Sequence, residues 1–483
     1  MPARDTEPFP RAVLDVLAAA GERPVFEHGT RVVTGGEMLD LVARIATGLR
    51  AKGIGPGDGL ALLLGVHPEA FAAILAGHVV GARVVGVRPG LTEAQVAHLL
   101  GLDIAAVVTD SAGGMAGAAS VTDEAPVTDA GQAPVRLTVS DLLTHAAEPL
   151  RCDGRPDDIA RLIHTSGSTG APKACAQTYA SMTNAWAAHP QAWPPAIRDL
   201  ASRLDRYLVF GSLSSQVMFE YAILTLTAGG TVVVADNPAD AITRLRATAR
   251  VITVPGLAKL VAAQQHDPAD LSTLKALLVS GSPLTPERHR EALATLGPVL
   301  FHGYGQTETG MISMATPTDP PGTVGRPPVD VEIRDGELYV RTPGQAREYW
   351  ANPHETAEIF VDGWVRTRDL GRFDDDGHLR LTGRARDVVI VNANLHYVGP
   401  IEQVLAEHPD VAEAYVVAVP DDETGEAVHA FVVPRAGRVP PLDEIRELVT
   451  ARLGAACAPV RVTAISEPPV APSGKPDKRQ LTA

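Results

Sequence analysis

Residues 164–173 of this 483-residue chain, His-Thr-Ser-Gly-Ser-Thr-Gly-Ala-Pro-Lys, constrain its fold more than any other segment. The apolar run Ala160–Ile163 before them reads as a short strand. The segment therefore leaves a strand end, where ligands bind in α/β folds. Gly167 and Gly170 permit turns that a Cβ would obstruct, so several backbone N–H groups can aim at one anion. Thr165, Ser166, Ser168 and Thr169 add hydroxyl donors, and Lys173 adds a mobile cation. This makeup suits a polyphosphate. It is not a Walker loop, because Pro172 precedes the lysine and Ala174 stands where a magnesium-binding hydroxyl is required. Gly167 and Gly170 do not fit the G-x-G-x-x-G dinucleotide fingerprint either.

Four further motifs follow in order: Gly303-Tyr304-Gly305-Gln306-Thr307-Glu308, Thr367-Arg368-Asp369-Leu370-Gly371, Gly383-Arg384-Ala385-Arg386-Asp387 and Pro472-Ser473-Gly474-Lys475. Together with the loop they resemble the adenylate-forming superfamily of acyl-CoA synthetases, nonribosomal peptide synthetase adenylation domains and luciferases. The likeness covers essentially the whole chain. It implies an α/β protein with a large N-terminal domain of two α/β subdomains plus a β-barrel-like part, and a small mobile α+β C-terminal domain. A composition break at Arg384–Asp387 sets the expected boundary. By the resemblance, residues 1–383 would form the ATP- and acid-binding domain, and residues 384–483 a lid carrying the catalytic lysine.

The local patterns agree with that division. Strands at Gly59–Leu64, Val79–Val87 and Ala105–Thr109 alternate with helices near Gly36–Lys52 and Pro68–Gly77, a rhythm of βα units on largely parallel sheets. Residues 111–135 read as a surface loop. A second series runs through Tyr207–Phe210, a helix near Val217–Ala228, Thr231–Ala235, Val251–Val254 and Lys275–Ser280. Short strands such as Val331–Arg334 and Glu337–Val340, separated by turn residues, read as antiparallel hairpins. Beyond residue 387 a compact α+β unit is legible: strand Val388–Val391, helix Gly399–Glu407, strands Ala414–Val419 and Val428–Val433, and helix Leu442–Leu453.

Composition narrows the partners. A formal charge of −15 argues against a nucleic-acid surface, which needs clustered Lys and Arg. No apolar run approaches the roughly 20 residues that span a bilayer, and the first residues lack the apolar core of a signal peptide. Cys152, Cys175 and Cys457 form neither a pair spacing nor a metal motif. A cytoplasmic protein bound to neither nucleic acid nor membrane is expected.

The chemistry implied is attack of a carboxylate on the α-phosphate of ATP with loss of pyrophosphate. Charge neutralisation and positioning supply most of the rate in such a transfer. The loop Thr165–Lys173 would clasp the β- and γ-phosphates. Glu308, a carboxylate in a turn, suits a hard Mg²⁺ bridging phosphate oxygens. By resemblance, Thr307 bonds the α-phosphate, Asp369 takes the ribose hydroxyls, and Arg384 is a second ribose or phosphate contact. Tyr304 offers a face for adenine. Ser282, Pro283 and Gly305 complete the expected nucleotide site. Lys475 would bridge the attacking carboxylate and the α-phosphate, so Lys475, Thr307 and Glu308 form the expected catalytic set.

The acid pocket is expected between the helix Gln216–Ala228, the segment Ser280–Pro283 and Gly303–Gly310, lined by Gln216, Glu220, Ser280, Gly281 and Gly303. Gln216 carries no charge where amino-acid-activating relatives hold an aspartate. Glu220, one turn on, needs a partner if buried; a substrate amine or phenol, or a nearby arginine, would serve. Departures from the family pattern are Arg368 for glycine, Arg386 at the hinge, Ala393 for a strand glycine, and Ser214-Ser215 where many acyl-CoA synthetases carry histidine. A carrier-protein or CoA thiol is the expected acceptor, with an amine acceptor, or a relative that binds nucleotide without turnover, as the alternatives.

Overall fold

The computed structural model describes residues 7–88, 93–110, 133–165, 173–235, 241–281, 284–392, 394–421, 423–471 and 476–481. Ser166, Gly167, Ser168, Thr169, Gly170, Pro172, Ser282, Pro283, Ala393 and Lys475 lie outside them, as do residues 111–132 and the side chain of Thr165.

The chain builds four sheets within the described residues. The first has seven strands in the order Glu348–Tyr349, Lys173–Thr178, Ile159–Thr165, Arg83–Gly86, Gly59–Leu63, Ile104–Thr109, Val135–Thr138. Its middle is parallel, and the pairings of Lys173–Thr178 with both neighbours are antiparallel. The second has eight strands: Gly310–Ala315, Leu300–Gln306, Ala276–Val279, Ala249–Ile252, Arg206–Val209, Thr231–Val234, Pro24–His28, Arg31–Thr34. It too is parallel within and antiparallel at both ends.

One apolar core joins these two sheets. It is built from the helices Arg11–Ala20, Gly35–Ala51, Pro68–Val79 and Gln216–Thr227 and the strand faces they cover. Thr34 and Glu37 cap the second of these helices reciprocally, satisfying two of its orphan N–H groups. The helix Gln216–Thr227 buries Phe219, Tyr221, Ala222, Ile223, Leu224 and Leu226. Each large side chain there contributes about 1.5–3 kcal/mol of transfer free energy.

The barrel-like part is a five-stranded antiparallel sheet that includes the hairpin Asp330–Arg334/Glu337–Arg341 and the long strand Trp364–Phe373. The C-terminal sheet of Asn394–Tyr397, Val388–Val391, Gly425–Pro434, Val411–Asp421 and Arg461–Ala464 has its own core, closed by the helices Val398–Ala406 and Leu442–Leu453. The large and small parts expected from the sequence are therefore both present.

Two expected elements are corrected. Val79–Val87 is not a single strand: the helix Pro68–Val79 runs into it, Gly81 turns at φ 80°, and only Arg83–Gly86 pairs. The stretch is apolar but for the buried Arg83, and it carries no period to separate buried helix from buried strand. Val135, placed in a loop, begins the edge strand Val135–Thr138. Among the described residues no helix is long and apolar enough to cross a membrane.

Candidate active site

The phosphate-loop segment joins two paired strands. Thr165 at the end of Ile159–Thr165 stands opposite Lys173 at the start of Lys173–Thr178. This register fixes where Lys173 enters the site. Its ammonium pairs with Glu355 and lies 5.6 Å from the centre of the Tyr349 ring.

Tyr349 in turn donates a 2.6 Å hydrogen bond to Glu308 Oε1. Burial and the Glu308 carboxylate both push the phenol well above its ordinary range, so it remains a donor. Glu308 and Thr307 sit in the turn between the strands Leu300–Gln306 and Gly310–Ala315. The turn is held by Gln306 N donating to Thr309 Oγ1 and by Ala346 N donating to Glu308 O. Gly305 is required on space alone, since a Cβ would lie 2.4 Å from the Gly310 carbonyl oxygen.

Asp369 gathers three side-chain donors. It is 5% exposed, with Tyr304 Oη at 2.8 Å and Gln306 Nε2 at 2.6 Å from Oδ2, and Arg384 Nε at 3.0 Å from Oδ1. The paired carboxylate raises the Arg384 guanidinium further. Tyr304, whose ring offers a face for adenine, lies in a buried cluster with Ile312, Val324 and Leu338, and its hydroxyl donates to Asp369. Arg384, expected on the ligand, is engaged by Asp369.

The residues expected to line the acid pocket lie on neighbouring elements. Gln216 is buried, and its amide faces Gly310, where an added Cβ would lie 3.6 Å away. An added Cβ on Gly303 would lie 3.7 Å from Tyr221 Oη. Ser280 and Gly281 follow the strand Ala276–Val279 beside Leu300–Gln306. Ser214 packs against Gly86, where a Cβ would come within 2.4 Å of it.

Glu220 shares the face of Gln216, whose amide donates to it at 2.9 Å. The partner that its burial demands is Arg161, at 3.4 Å, rather than a substrate amine. Burial pushes Glu220 up, and Arg161 and Gln216 pull it back only in part. A cavity of about 370 Å³ is lined in part by Arg161, Gln177, Phe219, Glu220 and Ile223.

Sequence reasoning missed Tyr349, Glu355, Gln306 and Arg161. Two left a signal: Gln306 lies inside the motif Gly303–Glu308, and Asn352-Pro353-His354-Glu355 is a helix start, with Asn352 Oδ1 accepting from Glu355 N at 3.2 Å.

A model of the AMP-binding enzyme matches residues 15–350, and one of the AMP-binding enzyme C-terminal domain matches residues 400–475. The chain belongs to the AMP-binding enzymes. This adenylate-forming family includes the amide bond synthetase McbA of Marinactinospora thermotolerans, whose structure aligns at TM-score 0.82 with 33% identity over 98% of each chain. A medium/long-chain-fatty-acid–CoA ligase, FadD8 of Mycobacterium tuberculosis, is 30% identical over 95% of this chain and 87% of its own. A fatty acid–[acyl-carrier-protein] ligase, ScoC of Streptomyces coeruleorubidus, is 31% identical over 91% of this chain and 89% of its own.

A magnesium ion fits the donors present. Among the described residues no cluster of three or more His, Cys, Asp or Glu is arranged to hold a metal, but Mg²⁺ commonly uses one or two carboxylates and takes its other ligands from phosphates and water. Glu308 is such a carboxylate.

Proposed function

We propose that this AMP-binding enzyme activates a carboxylic acid with ATP and transfers the acyl group to a thiol. The observation that carries the reading is the joining of Glu308, Tyr349 and Lys173 in one contact chain, with Asp369, Tyr304 and Arg384 in a second. Gln306 links the two, because its amide bonds Asp369 and its backbone N–H bonds the turn that carries Glu308.

In the first step a carboxylate oxygen attacks the α-phosphorus, the bond to the β-phosphate bridging oxygen breaks, and pyrophosphate leaves. Lys173 and the loop 166–172 hold the departing phosphates. Thr307 bonds the α-phosphate, and Ser282, Pro283 and Gly305 line the nucleotide site. Asp369, oriented by Tyr304, Gln306 and Arg384, receives the ribose. Bound Mg²⁺ would offset charge on the phosphate oxygens, held by Glu308. Lys475 bridges the two anions. The acid lies among Gln216, Ser280, Gly281 and Gly303.

In the second step the thiol sulfur of CoA or a carrier-protein phosphopantetheine attacks the acyl carbon, its proton is lost, and AMP leaves. Residues 1–383 act as the nucleotide- and acid-binding domain and residues 384–483 as the lid, a division supported by the separate C-terminal core. An amine acceptor is the second reading, favoured by the Marinactinospora likeness over 98% of both chains.

The test is carboxylate-dependent exchange of labelled pyrophosphate into ATP across a panel of acids, followed by competition between thiol and amine acceptors. Absence of exchange with every acid would sink the reading.

A further inference from the structure

Arg368 stands where the resemblance places a glycine, and its backbone still has a glycine's conformation, φ 59° in the left-handed region. The strand thus keeps a strained conformation while carrying a long cation. That cation is tied down at both ends of its guanidinium. Nη1 lies 2.9 Å from Glu355 Oε1, and Nη2 lies 2.5 Å from Glu358 Oε2.

Both carboxylates belong to the helix Pro353–Ile359, and each is shared. Glu355 Oε1, the oxygen that takes Arg368, also takes the ammonium of Lys173. Arg386 reaches Glu358 Oε2 at 3.3 Å and Glu355 Oε1 at 3.9 Å. His354, exposed on the same helix, lies 3.7 Å from Glu358. Three cations therefore face two carboxylates, and the cluster, with Lys173 in it, carries one net positive charge. Burial pushes Glu355 up, but the bonds from Lys173 and Arg368 outweigh it and hold the carboxyl below its ordinary value.

The geometry sets up a competition. A polyphosphate held by the loop must draw Lys173 away from Glu355, and a carboxylate left alone at this depth would resist. Arg368 supplies the replacement partner. We propose that Arg368 is a positioning residue for ATP: by holding Glu355 it releases Lys173 to the polyphosphate and keeps the local charge positive. This rests on the ATP-dependent reading of the loop above.

The charges predict the sign of each variant. Arg368→Gly suits the backbone but leaves Lys173 as the closest cation on Glu355 and lowers the local charge by one. Its Kd for ATP, measured by calorimetric titration, should rise about tenfold, the scale of one charge-assisted contact. KM for ATP in pyrophosphate exchange should follow, with kcat nearly unchanged. Arg368→Lys should recover most of the loss. Glu355→Gln frees Lys173 and should bind ATP more tightly than the parent. The double variant restores the parent's net charge and should bind within about threefold of it.

Parental ATP affinity in Arg368→Gly, or a double variant no better than the single one, overturns the proposal. Should Arg368→Gly fail to fold, Glu355→Gln decides alone, and unchanged or weaker ATP binding refutes the idea. A parent protein that binds no ATP overturns the ATP reading itself, and the proposal with it.

Discussion

Tyr304 and Asp369, 65 positions apart in the chain, are joined by a 2.8 Å hydrogen bond in which the phenol donates to the carboxylate. The bond ties the strand Leu300–Gln306 of the eight-stranded sheet to the long strand of the antiparallel sheet. Arg384, at the end of the neighbouring strand, closes the other side of the same carboxylate. The residue expected to receive the ribose is thus oriented by two sheets before any ligand is considered.

Tyr349→Phe should lower turnover in pyrophosphate exchange by about ten- to hundredfold, the worth of a hydrogen bond to a charged group. The phenol is the side chain bonded to Glu308 at 2.6 Å. Glu308→Gln should be worse by further orders of magnitude and should raise the Mg²⁺ requirement. Parental kinetics in Tyr349→Phe would separate this tyrosine from the reaction.

Glu220→Leu leaves the Arg161 guanidinium buried without its carboxylate. Loss of one partner of a buried pair costs about 3 kcal/mol or more. Urea melts should show this as a lower midpoint at unchanged slope, whereas Glu220→Gln, which keeps a hydrogen-bonding side chain, should lose less. Equal midpoints for Glu220→Leu and the parent would refute the pairing.

Lys475→Ala should lose adenylation yet transfer a supplied acyl-adenylate nearly normally. The motivation is the Pro-Ser-Gly-Lys motif and its place beside an anchored tail, where Lys478 pairs with Asp387 and Glu402. Undiminished pyrophosphate exchange in this variant would be decisive against the role.

His67 should make stability fall as pH rises. Burial opposes its charge, but Asp110 and Glu69 on its two nitrogens outweigh this and raise it to about 9. A pKa raised on folding stabilises fully below the unfolded value near 6.5 and is lost as pH climbs through 9. After discounting for partial exposure, about 1–2 kcal/mol should disappear across that window. Melts of the parent and His67→Gln between pH 6 and pH 10 should converge at the alkaline end; parallel curves would refute the linkage.

Much of this fold was legible because its signals are local. Glycine and hydroxyl spacing marks the phosphate loop, and the period of apolar residues separates the helix at Gly35–Ala51 from the strand Gly59–Leu63. The hairpin Asp330–Arg334/Glu337–Arg341 announces itself by its turn residues, and the five motifs carry the family in chain order. Where apolar residues crowd both sides of a single charge, as around Arg83 between Val79 and Val87, the local signal is lost and the helix boundary slips with it.

The sequence by itself determined the kind of chemistry and the residue types available for it. Which of those residues touch one another was decided only by tertiary structure. Nothing near Glu220 in the chain names Arg161, and nothing near Lys173 names Glu355, because both pairs are made by strands and helices brought together from distant segments. The physical reason is burial. A charge taken out of water must find a partner at about 3 Å, and packing of the sheets and helices, rather than chain neighbourhood, selects which residue stands there.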